Sequence, residues 1–181
     1  SNILTKLSSH NPALGVMVMV PNSLGPGELL QHYGTEEQKE LYLPKLASGE
    51  CIPCFGLTGP NNGSDALGSI DTATVFKDLN GEIKLHIKIN KRYITLAPVA
   101  NLVGVAFNLK DTYDLLDKGK PGVTLALLES NEFGLKQDTH HNPLNAGFPN
   151  GTLKGSLQIP VKNIIGGEEN AGNGWQMLME C

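Results

Sequence analysis

Two stretches of the sequence combine residue types that suit the binding of an anion and of a flat ring. In the first, Phe55-Gly56-Leu57-Thr58-Gly59-Pro60-Asn61-Asn62-Gly63-Ser64-Asp65, an apolar run enters a turn rich in Gly, Pro and Asn. Glycines let the main chain approach a ligand closely, and such a turn can aim backbone N–H groups and the Thr58 and Ser64 hydroxyls at an anion. In the second, Lys91-Arg92-Tyr93-Ile94-Thr95, a strand's period of two puts Tyr93 and Thr95 on the same side. An aromatic face there can cover a planar ring while the hydroxyl bonds its edge. Read singly, the first stretch is also an ordinary loop and the second a strand with a core tyrosine.

Other chemistry-bearing residues carry less. Cys51-Ile52-Pro53-Cys54 has redox spacing, but it opens a strand instead of the helix N-terminus that would lower a thiol pKa, so buried thiols are expected. His140-His141 has no carboxylate or cysteine at ligand spacing, so exposed loop histidines and no metal site are expected. The Gly-rich residues 166–174 lack the G-x-G-x-x-G spacing and a βαβ setting, and read as a turn into a last helix. Asn62-Gly63-Ser64 and Asn150-Gly151-Thr152 match the glycosylation pattern, but Asn-Gly is first a turn signal.

The elements that would position these residues divide the chain in three. Residues 1–50 look helical: an apolar segment at 13–20 reads as a buried helix, a Pro/Gly break covers 21–27, and Glu28-Leu29-Leu30-Gln31-His32-Tyr33 ends on Gly34 as a C-cap. Thr35-Glu36-Glu37-Gln38 has the form of a capping box, Leu41, Leu43 and Leu46 supply apolar positions, and Ser48-Gly49 stops that helix. Residues 51–166 turn to short β-rich runs at 83–89, 99–107, 122–128 and 153–159, with hairpin turns at Asn80-Gly81 and Asn150-Gly151 and a polar excursion at 111–120. Residues 167–181 lead into the first turns of another helix. The expected fold is α+β: a compact antiparallel β-barrel or sandwich middle domain preceded by helices of an all-α N-terminal domain.

Composition narrows the function classes. The 181 residues are 40% hydrophobic, enough for a substantial core, and 14 basic against 18 acidic residues give a net charge of -4 with no Lys/Arg block, which excludes a nucleic-acid partner. The apolar segment at 13–20 falls far short of the ~20 residues of a transmembrane helix. Three cysteines suit a reducing compartment, so the cytoplasm is expected, with any membrane association left to regions outside this sequence.

Taken together and in this order, the motifs resemble the acyl-CoA dehydrogenase family. The likeness starts at Leu29-Leu30-Gln31-His32-Tyr33-Gly34-Thr35-Glu36-Glu37-Gln38-Lys39 and at residues 42–50. It ends at Ile159-Pro160-Val161 and at residues 164–175, so it covers nearly the whole chain. Phe55, Thr58, Pro60, Gly63, Ser64 and Asp65 fall on the family's flavin loop, and Tyr93-Ile94-Thr95 on its Trp-Ile-Thr position. Gly59 stands for the usual Glu, Leu96 for a common Asn, and residues 144–148 for an Arg-containing loop. These departures, with residues 90–98, look like the large bacterial fatty-acid-degradation acyl-CoA dehydrogenases.

The resemblance implies FAD as cofactor, held by Phe55, Leu57, Thr58, Gly63, Ser64, Tyr93, Ile94 and Thr95. Groups around Leu57 and Thr58 would bond the polar edge of the isoalloxazine, and Ser64 would reach the pyrophosphate and border the acyl-CoA. Tyr93 would pack on the flavin and Thr95 bond near N5. It implies oxidation of medium- to long-chain saturated acyl-CoA to trans-2-enoyl-CoA in fatty-acid β-oxidation, with an electron-transfer flavoprotein or other acceptor and a homo-oligomeric parent. No residue here is the catalytic base, expected in a helical domain beyond Cys181, so these residues alone are expected to be inactive. The alternatives are an acyl-CoA oxidase or a non-catalytic binding module on the same β fold.

Overall fold

The structure, a computed structural model, describes residues 2–19, 25–66, 68, 70–130, 132–139, 141–145 and 147–181. Five α-helices are described: α1 (Asn2–His10), α2 (Pro12–Met19), α3 (Gly25–Tyr33), α4 (Glu36–Ser48) and α5 (Gly174–Glu180). Between α4 and α5 lie seven strands: β1 (Pro53–Gly56), β2 (Thr72–Lys77), β3 (Ile83–Thr95), β4 (Leu102–Lys110), β5 (Gly122–Glu129), β6 (Lys136–Thr139) and β7 (Asn150–Pro160).

Helix α4 is set by its ends. The Gln38 N–H donates to Thr35 Oγ1 at 3.2 Å and the Thr35 N–H to Gln38 Oε1 at 3.2 Å, which completes the capping box, and Gly49 closes the helix at φ 78. Gly34 follows the last residue of α3, as expected of a C-cap, and its N–H donates to the Leu30 carbonyl at 2.8 Å. A Cβ there would lie 2.6 Å from the Leu30 carbonyl oxygen, so close approach requires the glycine. The apolar segment does form α2, which packs on α1; among its described side chains Leu14 and Val18 stay 45% and 62% exposed, so these two lack the expected burial, and α1 itself buries nothing. The expected break at 21–27 lies partly outside the described residues, and Gly25 already belongs to α3.

The α+β class is as expected, with one difference in the sheet. Antiparallel ladders join β2 to β3, β3 to β7, β7 to β6 and β4 to β5, but β1 and β2 both run parallel to β4. Strand β1 pairs with 102–105 and β2 with 108–110 along one edge of β4. They are two collinear halves of a single strand position, and residues 57–71 leave the sheet between them. Sequence periodicity missed β2 and the short β6, and it placed Asn150-Gly151 in a turn, whereas both open β7 opposite Thr95 and Ile94.

Two cores result. Inside the curled sheet lie Leu85, Ile87, Ile89, Val103, Val105, Phe107, Leu153 and Leu157, all at most 4% exposed. On the other face α3, α4 and α5 cover Leu102, Ala106, Leu125 and Leu127 with Leu29, Leu30 and Met177. Strands β4 and β5 are therefore buried on both faces, which is why they read as continuous apolar runs. Leu43 and Leu46 join the second core, while Leu41 remains 47% exposed.

Gln38 joins the helices to the sheet. Beyond its capping bond, its Oε1 accepts from the Gly166 N–H at 2.9 Å, and its Nε2 donates to the Lys162 and Ile164 carbonyls at 3.0 and 2.8 Å. The polar excursion after β4 is only partly solvated, because the Asp111 carboxylate accepts from the Leu115 and Leu116 N–H groups and Leu116 is buried.

Candidate functional site

The loop at 57–71 is organised by two residues that motif reading passed over. Asn62, 6% exposed, accepts from the Gly59 N–H at 2.7 Å and donates from Nδ2 to the Leu57 and Ala66 carbonyls, both at 3.2 Å. Lys91, 1% exposed, donates from Nζ to the Leu57 carbonyl at 3.1 Å and pairs with Asp71 Oδ2 at 3.1 Å. Leu57 opens the loop and Asp71 closes it, so one ammonium holds both ends. Asp71 Oδ2 also accepts from the Asn90 N–H at 3.0 Å. Burial, the larger effect, pulls the Lys91 ammonium below its ordinary pKa, and Asp71 opposes that. A buried ammonium is tolerable only when paired and hydrogen-bonded in this way.

A signal for Lys91 was present. Ile83, Leu85, Ile87 and Ile89 mark the inward phase of β3, and Lys91 continues it. Asn62 gave no comparable signal, because its turn composition describes many loops.

Arg92 joins the two motifs directly, its N–H donating to the Thr58 carbonyl at 2.9 Å. The strand does not keep its alternation beyond this point. On β3 the register advances from Lys91 to Ile94 while β7 moves only from Leu153 to Gly151, a bulge that leaves Tyr93 at φ 59. Tyr93 is consequently 49% exposed and Thr95 only 7%, so the two do not share a face as simple alternation required.

Two side chains lie against Tyr93: Arg92 Cζ is 4.8 Å from its ring centroid, and the His141 ring, tilted by 38°, is 4.1 Å away centroid to centroid. His141 is thus a half-buried residue in ring contact instead of an exposed one, and His140 lies outside the described residues. Thr95 Oγ1 receives the Asn150 Nδ2 at 3.4 Å, and among the described residues nothing donates to the buried Asn150 Oδ1. Such an orphan acceptor is unusual enough to point to an outside donor or a reversed amide.

The remaining predicted residues separate into two groups. Leu57 and Thr58 are half-buried at the start of the loop, and Gly63 and Ser64 are exposed, with open space around a Cβ on Gly63. Phe55 and Ile94 are core: the Phe55 ring packs between β4 and α3, where a Cβ on Gly104 would come within 2.6 Å of it, and Ile94 is 1% exposed. Their side chains cannot meet a ligand, so any role of theirs is through the main chain.

Residues set aside earlier can now be placed. Cys54 is buried and its thiol pushed up to about 12 by that burial, and Cys51 is raised, also chiefly by burial, which is opposite to a reactive pair. Among the described residues no cluster of three metal-ligating side chains occurs, and no helix is long and apolar enough to cross a membrane. Both sequon asparagines, Asn62 and Asn150, are buried.

The sequence model described as "Acyl-CoA dehydrogenase, N-terminal domain" matches residues 2–50. An acyl-CoA dehydrogenase of Bacillus subtilis is 32% identical over 176 residues, 96% of this chain and 43% of the relative. Butyryl-CoA dehydrogenase from Megasphaera elsdenii has the same fold with a TM-score of 0.76 at 23% identity, over 98% of this chain and 43% of its own. A glutaryl-CoA dehydrogenase from Mycobacterium smegmatis, solved in complex with FADH2, aligns at 26% identity with a TM-score of 0.60, over 75% of this chain and 32% of its own. The chain thus spans less than half the length of each of these relatives.

Proposed function

The chain belongs to the acyl-CoA dehydrogenase family, and on that premise we propose that it is the flavin- and substrate-contacting part of an enzyme that oxidises saturated acyl-CoA to trans-2-enoyl-CoA. One observation carries the reading. The two motifs that the family uses to hold its flavin are joined here by the Lys91 and Arg92 hydrogen bonds to Leu57 and Thr58.

The residues present fit FAD. The exposed Gly63-Ser64 turn offers main chain and a hydroxyl to a pyrophosphate, Tyr93 presents a half-exposed ring, and Thr95 stands beside the orphaned Asn150 acceptor. Leu57 and Thr58 would meet the polar edge of the ring system through their main chain and hydroxyl, with Phe55 and Ile94 contributing backbone only. Ser64 would also border the acyl-CoA. When bound, FAD supplies the acceptor for the β-hydride that departs as a carboxylate takes the α-proton. That carboxylate is assigned to none of these residues. Medium- to long-chain acyl-CoA of fatty-acid β-oxidation as substrate, an electron-transfer flavoprotein as acceptor, and a homo-oligomeric parent complete the proposal.

The test is anaerobic mixing of the full-length parent with palmitoyl-CoA or octanoyl-CoA. Loss of the oxidised-flavin absorption band with enoyl-CoA formation is expected. Rapid reoxidation when dioxygen is then admitted would move the assignment to an oxidase, and a parent that takes up no flavin would favour a binding module.

A further inference from the structure

The collinear placement of β1 and β2 leaves a gap in one strand position where the loop exits the sheet. Lys91 fills that gap. Its aliphatic stem runs beside Gly56, where an added Cβ would lie 3.2 Å from Lys91 Cγ and 3.0 Å from Leu153 Cδ1, so Gly56 makes room for it. Its Nζ then reaches Leu57 on one side of the gap and Asp71 on the other.

The orientation of one peptide group follows. Among the described residues no peptide bond is cis, so the N–H of each peptide points away from its C=O. The Leu57 carbonyl is drawn toward the buried ammonium and also accepts from Asn62, and the Thr58 N–H in the same peptide is therefore directed away from it. Neighbouring groups are already committed: the Gly59 N–H to Asn62, and the Thr58 carbonyl to Arg92. No group among the described residues accepts from the Thr58 N–H. A cation on the carbonyl also polarises the peptide and strengthens that N–H as a donor.

We propose that Lys91, with Asp71 as its counter-charge, is the positioning residue of the flavin site: by holding the Leu57 carbonyl inward it aims a polarised Thr58 N–H outward as a hydrogen-bond donor to the flavin. The inference rests on the functional reading above. It adds a tuning role to a residue that touches neither flavin nor substrate.

The test uses the full-length holoenzyme with Lys91→Met, which keeps the apolar stem, and Asp71→Asn, which keeps the shape of the counter-ion. For Lys91→Met, FAD dissociation should rise roughly tenfold to a hundredfold, the range of a lost charge-assisted hydrogen bond. The reduction equilibrium of flavin still bound should move about tenfold toward the oxidised form, ~30 mV for a two-electron couple. Asp71→Asn should move both in the same direction by less, and carries the test if Lys91→Met does not fold. A merely structural Lys91 would lower the melting temperature and leave the potential of the bound flavin at the wild-type value. That result, in either variant, overturns the proposal. A wild-type parent that binds no flavin overturns the functional reading and this inference with it, whereas a flavin-loaded wild type with indifferent variants overturns the inference alone.

Discussion

Gln38→Met separates two kinds of stabilisation that meet at one side chain. Gln38 is 8% exposed and makes four hydrogen bonds: it accepts from the Thr35 and Gly166 N–H groups and donates to the Lys162 and Ile164 carbonyls. Methionine has a similar length and good helix propensity, so the substitution removes the polar contacts while nearly conserving volume. Loss of the capping contact alone costs about 1 kcal/mol. Stranding the Gly166 N–H and the Ile164 carbonyl adds about 1–3 kcal/mol each if both stay dry.

Water limits that sum. A cleft lined by Thr35, Gln38, Leu127, Lys162 and Asn163 opens beside the site, so the two stranded groups together should add about 2 kcal/mol. The expected total is about 3 kcal/mol, against about 1 kcal/mol for Thr35→Ala. Urea unfolding followed both by far-ultraviolet circular dichroism and by the fluorescence of Trp175, the single tryptophan, gives each value. If Gln38→Met costs no more than Thr35→Ala, the bonds to residues 162–166 contribute nothing and the reasoning fails.

Two further outcomes are expected. Cys54, raised to about 12 by burial from an ordinary value of 9.0, binds its proton more tightly folded than unfolded, so its contribution is full below pH 9 and is lost as pH rises toward 12. Stability of the wild type should therefore fall with pH in that window more steeply than that of Cys54→Ala, and iodoacetamide near neutral pH should modify exposed Cys181 well before Cys54; equal slopes or equal labelling would contradict this. Asn62→Ala removes three hydrogen bonds inside the loop but none to the sheet, so it should loosen FAD in the full-length protein roughly tenfold with a change in global stability of about 1 kcal/mol, measured by flavin release and thermal unfolding.

What could be read from the residues was what depends on neighbours in sequence. The Thr35 capping box, the Gly49 stop and the period of two over 83–89 all appear in place because each involves contacts only a few residues long. The Asn80-Gly81 turn between β2 and β3 belongs with them: Asp78 anchors it by accepting from Asn80 and Glu82. The features that failed are set by distant partners. Strand β2 exists because β3 and β4 flank it, the bulge before Ile94 is defined only against β7, and the exposure of α2 depends on what lies against it. Within the site, the hydroxyls and glycines are expectations that come from the motifs and the family likeness. The core positions of Phe55 and Ile94, and the ammonium under the loop, needed the sheet to be seen.

The shared edge of β4 has one more consequence, for how such a protein can change over time. A loop that leaves and rejoins the same strand position has both attachment points fixed by the sheet, whatever its length. Doubling a flexible loop adds only about 0.6 kcal/mol of closure entropy. Insertions in the loop can therefore accumulate without shifting any ladder of the sheet, whereas losing Asp71 or the Leu57 carbonyl contact unfastens the socket itself. The arrangement separates a part free to acquire new specificities from the part that keeps the loop's two ends in place.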